Sequence, residues 1–101
     1  MDVLDLNAAV TYTDHGIASR IVAKTAGGNL TLFAFDAGQE LTEHVSPFEA
    51  FVQVLEGELT LTIGGTPVAA VPGSIVRMPA HVPHAVQAPQ RSKMMLVMLR
   101  A

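Results

Sequence analysis

The sequence has no cysteine, few charged residues and no long apolar run. Without cysteine there are no disulfide bonds or thiolate ligands, so a metal site could use only histidine, carboxylates and neutral oxygens. The six lysine and arginine residues form no cluster and the formal net charge is −3, so nucleic acids and anionic membranes are not expected partners. No apolar run reaches the about 18 residues of a membrane helix, and the N-terminus lacks the pattern of a signal peptide. These absences predict a soluble cytoplasmic protein.

Length and hydrophobicity predict one small domain that associates with itself. The chain has 101 residues, of which 50% are hydrophobic and 15% charged. We expect a single domain over residues 1–101, which buries roughly two-thirds of its extended surface. A monomer of this composition leaves much apolar surface in water, so we expect a homodimer.

Short segments of period two or continuous apolar character, separated by glycine and proline, predict an all-β chain. Gly27-Gly28-Asn29 and Gly64-Gly65 supply residues that tolerate positive φ in tight turns. Many short strands at even spacing indicate a sandwich or a barrel. Residues 1–17 show no clean period. The predicted strands are 18–24, 30–36, 41–45, 50–55, 58–63, 66–71, 74–78, 84–87 and 93–100.

Two segments carry a recognisable motif. Residues 38–57 read G-Q-E-L-T-E-H-V-S-P-F-E-A-F-V-Q-V-L-E-G, and residues 73–84 read G-S-I-V-R-M-P-A-H-V-P-H. Their spacing resembles that of the cupin family: Gly, five residues, His-x-His, three or four residues, Glu, six residues, Gly; then Gly, five residues, Pro-x-Gly, two residues, His. The resemblance implies a jelly-roll β-barrel, or double-stranded β-helix, of the RmlC-like type. In small cupins the N-terminal segment often pairs with the other subunit, which would place residues 1–17 at a dimer interface.

The motif positions are only partly filled with metal ligands. His44 and His84 occupy two of the four ligand positions, whereas Ser46 replaces the second histidine and Ala50 the glutamate. Alternate residues of a strand share a face, so His44 and Ser46 are expected to project together. The resemblance implies a pocket at His44 and His84 and a divalent transition metal: iron, manganese, zinc, nickel or copper.

Other side chains are weaker candidates for the site. His81 replaces the glycine of the second motif and is the candidate third metal ligand, although an exposed loop position is the favoured interpretation. Glu49 lies one residue from the glutamate position and would need a β-bulge after Pro47 to turn inward. Gln53 could reach the pocket, but a hydrogen bond to a neighbouring strand or across a dimer interface is favoured. An inward Arg77 could hold a carboxylate, but an outward arginine is favoured.

Three functions remain open. A metal-dependent enzyme would oxygenate or isomerise a small polar organic molecule at an ion held by His44 and His84. A metal-free module would bind a small molecule in the barrel without catalysis. A structural cupin would fill the pocket with its own side chains. No nucleophile motif, P-loop or dinucleotide-binding turn is present, and the catalytic residues are not identified.

Overall fold

The computed structural model describes residues 3–100 and confirms the all-β prediction. All strand pairs are antiparallel. No helix that could span a membrane occurs within residues 3–100. The strands are β1 (Ile17–Thr25), β2 (Gly28–Phe35), β3 (Glu40–His44), β4 (Phe48–Glu56), β5 (Leu59–Ile63), β6 (Thr66–Ala70), β7 (Ile75–Met78), β8 (His84–Gln87) and β9 (Ser92–Arg100).

The strands form two sheets that enclose one core. The larger sheet has the order β1-β2-β9-β4-β7 and the smaller sheet the order β3-β8-β5-β6. Alternate residues of β4, namely Ala50, Val52 and Val54, are buried against Leu61 and Val86 of the smaller sheet. This is the predicted jelly roll, in which non-consecutive strands are neighbours.

The N-terminal segment covers part of the outer face of the larger sheet. The predicted segment 1–17 is described from residue 3 onward, and β1 begins at Ile17. Val10 is 5% exposed and packs with Leu32 and Ala34, which β2 directs away from the barrel interior. Tyr12 donates a hydrogen bond to Glu56 at 2.7 Å. Burial of apolar side chains on both faces of β2 explains why its sequence is almost continuously apolar.

Arg91 ties three loops together through two carboxylates. Its guanidinium donates to Asp36 at 2.8 Å and to Asp14 at 2.7 Å. The backbone N–H of His15 donates to the other Asp36 oxygen at 2.7 Å. These hydrogen bonds lower the pKa of Asp36 from 3.8 to about 2, and the one from Arg91 has the largest effect.

We predict that the carboxylate of Asp36 makes the stability of the folded protein sensitive to acid. Because the folded pKa is below the unfolded value, the stabilisation is complete above ~pH 4 and is lost as the pH falls towards 2. Urea unfolding at a series of pH values should show a shallower loss of stability in Asp36→Asn than in the parent. Glu43→Gln, which removes an exposed carboxylate without an ion pair among residues 3–100, should retain the parental slope. Parallel curves for parent and Asp36→Asn would contradict the assignment.

Candidate functional site

A shift of register in β3 brings the two motif histidines together. Leu41 pairs with Val86 and His44 pairs with His84, so three residues of β3 oppose two of β8. In a regular ladder Glu43 would have faced His84, with His44 one position further along. The extra residue, a β-bulge, turns His44 to the face that carries His84 and Val86. His84 is 4% exposed, whereas His44 remains open to solvent.

The two imidazoles are in direct contact. Their Nε2 atoms lie 3.0 Å apart, and the ring centroids lie 4.3 Å apart at an interplanar angle of 70°. His44 Nδ1 lies 2.9 Å from the carbonyl oxygen of Thr42, and His84 Nδ1 lies 3.2 Å from that of Val82. A carbonyl oxygen only accepts, so each Nδ1 carries a proton. With each Nδ1 donating to its carbonyl, the two Nε2 atoms face each other, and a proton or a metal ion can lie between them.

Burial keeps the inner ring of the pair uncharged. Desolvation lowers the pKa of His84 below 6.5, and charge on His44 lowers it further, while the Val82 carbonyl acts in the opposite direction. His84 is therefore neutral at pH 7, and its Nε2 lone pair is available to a cation.

The other two motif positions supply no further ligand. Ser46 is buried, and its Oγ accepts a hydrogen bond from the N–H of Phe48 at 3.1 Å. Ala50 is 1% exposed and pairs with Met78 and Met98, so its surroundings are apolar. Within residues 3–100, no group of three or more histidine, cysteine, aspartate or glutamate side chains is arranged to hold a metal ion.

His81 has a backbone role that its position in the motif explains. Its φ is 66°, in the left-handed region, and its N–H donates to the carbonyl of Ser46 at 2.8 Å. Glycine adopts this conformation at least cost, which accounts for the glycine that the cupin motif has here. The His81 side chain is exposed at this turn.

Glu49 and Arg77 lie on the outer face of the larger sheet. The guanidinium of Arg77 donates two hydrogen bonds to Glu49, at 2.8 and 2.9 Å. This contact lowers the pKa of Glu49 and raises that of Arg77. Pairing of β4 with β9 is regular from Phe48 to Val54, so the bulge that would turn Glu49 inward is absent there. Arg77 points outward, as favoured from the sequence.

Gln53 shares the outer face with Glu49. It pairs with Ile75 and Met95, and the alternate residues Val52 and Val54 are the ones that enter the core. Neither Gln53 nor Glu49 reaches the histidine pair.

Two polar residues on the inner face of β2 were not identified from the sequence. Asn29 pairs with Met98 and Thr31 with Leu96, and these partners face the core beside Ala50. Thr31 Oγ1 donates to Asn29 Oδ1 at 3.2 Å. The sequence of residues 29–35, N-L-T-L-F-A-F, contained the signal for this polar patch. Its odd-numbered residues share one face of the strand and are polar at one end and aromatic at the other.

Side chains fill most of the barrel interior. Phe35, Val52, Leu61, Val86 and Met94 are all at most 1% exposed. Surface grooves of about 400, 260 and 180 Å³ occur in the described part of the chain, and neither His44 nor His84 lines any of these three. The histidine pair therefore lies at an opening of the barrel rather than in one of these grooves.

Comparison with known proteins agrees with the motif. The Cupin domain family model matches residues 31–100. A conserved protein of unknown function from Streptococcus pyogenes is 33% identical over 99% of this chain and 88% of its own, with a TM-score of 0.93. An RmlC-like cupin from Desulfovibrio desulfuricans is 28% identical over 99% and 97% of the two chains, with a TM-score of 0.87.

A cupin 2 conserved barrel domain protein from Leptotrichia buccalis is 30% identical over 95% of this chain, with a TM-score of 0.91. The match covers 47% of that protein, so this chain spans about half its length. A search of curated proteins gives no significant match.

Proposed function

The chain belongs to the cupin family, and we propose that it binds a divalent transition metal through His44 and His84 and acts on a small polar organic molecule. The observation that carries the proposal is the 3.0 Å separation of the two Nε2 atoms. Two Nε2 lone pairs at this distance repel each other unless a proton, a water hydrogen or a metal ion lies between them. Backbone carbonyls hold both rings in the tautomer that creates this arrangement, as second-shell partners do in metal sites.

The distance also suits a shared ion. Nitrogen ligands lie about 2.0–2.1 Å from zinc, so two of them at the tetrahedral angle are separated by about 3.3–3.4 Å, and the two Nε2 atoms would move apart by a few tenths of an ångström when the ion binds. Imidazole suits zinc, iron, nickel and copper, and the absence of a carboxylate at Ala50 disfavours manganese. His81 is proposed as the third ligand, and its turn would have to rearrange when the ion binds, because within residues 3–100 no three such side chains are arranged to hold an ion.

The proposed substrate completes the coordination. A divalent ion would act there as a Lewis acid that polarises an oxygen of the bound molecule, in an isomerisation or an oxygenation. The exposed His44 ring leaves the ion accessible from solvent, while the buried His84 ring anchors it to the barrel. The carbonyls of Thr42 and Val82 retain the Nδ1 protons, so neither imidazole needs to rotate when the ion binds.

A second candidate function is a metal-free small-molecule-binding or structural cupin without catalytic activity. The filled interior favours it, because the described grooves do not contain the histidines. In this case His44 and His84 share a proton or a water molecule, and metal ions neither bind stoichiometrically nor stabilise the fold.

We also propose that the protein is a homodimer formed through the uncovered part of the larger sheet's outer face. Leu30, Val97 and Phe51 form an apolar row across β2, β9 and β4, and Leu99 beside them is 47% exposed. The row and Leu99 adjoin the groove of about 400 Å³. Arg77, at the end of the row, is already neutralised by Glu49 within the chain. A second copy can therefore pack on this face without charge repulsion.

We predict that metal binding depends on the histidine pair. Protein purified without an affinity tag should take up one zinc or nickel ion per chain in calorimetric titration, and elemental analysis should recover it. The His44→Ala/His84→Ala double variant should lose this binding, and His81→Ala should weaken it about tenfold or more. A metal concentration 100 times the Kd should stabilise the parent by about 2.7 kcal/mol.

The control for this experiment is His15→Ala, which removes an exposed histidine from a turn near β1. It should bind the ion like the parent. Absence of saturable binding by the parent, or equal binding by the double variant, would refute the metal site and leave the metal-free function. Unchanged binding by His81→Ala would remove that residue alone from the ligand set.

For the dimer, we predict that Val97→Glu yields monomers. The substitution places a carboxylate in the centre of the apolar row, where a second copy would have to desolvate it. Light scattering coupled to size-exclusion chromatography should give two chains for the parent and one for the variant, with circular dichroism confirming the fold. Ala69→Glu, on exposed β6 of the other sheet, should remain dimeric. A monomeric parent would disprove the proposal.

A further inference from the structure

One groove at the open end of the barrel is lined by basic side chains and by no acidic residue. It has a volume of about 180 Å³, and Lys24, Asn29, Phe48 and Arg100 contribute to its lining. Lys24 pairs with Asn29 across β1 and β2, and Arg100 pairs with Phe48 across β9 and β4. The groove thus spans the edge of the inner face of the larger sheet.

The two basic side chains of this groove differ from the other four in the described chain, because they have no hydrogen-bond or ion-pair partner there. Four of the six basic side chains have a partner: Arg20 donates to the Ala9 carbonyl, Arg77 to Glu49, Arg91 to Asp14 and Asp36, and Lys93 to the Asn7 carbonyl. Within residues 3–100, Lys24 and Arg100 form no hydrogen bond or ion pair through their side chains. Both of these cations line the same groove.

The remaining lining completes a site for an anion. Asn29 Oδ1 accepts the hydroxyl of Thr31, so the Asn29 amide nitrogen keeps two N–H donors for another acceptor. The guanidinium, the ammonium and this amide offer donors, which a carboxylate or phosphate oxygen can accept. Phe48 adds an apolar wall beside them.

We infer that this groove binds the carboxylate or phosphate group of a small organic anion. Its volume is below the roughly 300–1,000 Å³ of pockets that enclose a drug-sized ligand, so it holds one group of the molecule rather than all of it. The rest of the molecule extends from the groove.

The connection between β3 and β4 links the histidine pair to this groove. β3 ends at His44 and β4 begins at Phe48, so both residues flank one short connection. Four residues span at most about 14 Å when extended. One step here rests on the proposed function, namely that this anion is the molecule acted on at His44 and His84. If so, the substrate is an organic acid or phosphate ester with further oxygens that reach the ion.

The test is a titration of the metal-free, ¹⁵N-labelled protein at low ionic strength, followed by amide chemical shifts. Malonate and inorganic phosphate are the two anionic probes, and malonamide is the uncharged counterpart of malonate. At least one anion should shift the amides of Gly28, Asn29 and Phe48 saturably, whereas malonamide should not. Preference between the two anions identifies the group that the groove accepts.

Lys24→Gln/Arg100→Gln should weaken the binding of the preferred anion about tenfold or more. The matched control is Arg20→Gln/Arg77→Gln, which removes two positive charges outside the groove and should bind like the parent. Absence of saturable shifts with both anions, or equal weakening in the two double variants, would overturn the inference. Because the protein carries no metal in this titration, such a failure leaves the test of His44 and His84 unaffected.

Discussion

The register between β3 and β8 is the constraint on which the candidate site depends. With one extra residue between Leu41 and His44, the ring of His44 meets that of His84 on the inner face. The backbone then completes the arrangement, because the carbonyls of Thr42 and Val82 each accept an Nδ1 proton. Without the bulge, Glu43 would face His84, and a carboxylate would replace one of the two lone pairs. The contact between the two imidazoles is thus a consequence of local backbone geometry.

The larger sheet explains why the site lies at the opening of the barrel. Around Ala50 and Val52 its inner face is apolar and filled with side chains. Polar residues occur on this face only towards one edge, at Asn29 and Thr31 among the described residues of β2. Its outer face is covered partly by the N-terminal segment. The proposed dimer face adjoins the groove of about 400 Å³, which shares Thr25, Gly28 and Asn29 with the proposed anion groove.

The sequence predicted the strands and the two central histidines, because glycine spacing and alternation are local properties. It could not predict the bulge in β3, since Thr42 and Glu43 carry no glycine or proline signal and both registers alternate equally well. The ion pair between Glu49 and Arg77 could not be predicted from local sequence either, because the β5–β6 hairpin lies between β4 and β7 in the chain. The grouping of Lys24 with Arg100 was missed for the same reason: β2 separates β1 from β9 in the sheet, and the two residues lie near opposite ends of the chain.

The central claim is that both Nε2 atoms of the pair are unprotonated and directed at one point. Long-range ¹H–¹⁵N correlation spectra of the metal-free protein at mildly alkaline pH measure this directly, since they distinguish the two imidazole tautomers. The account predicts that the proton resides on Nδ1 in both His44 and His84. A proton on Nε2 of either ring would contradict it, because one imidazole would then donate to the other and the pair would present no converging lone pairs to an ion.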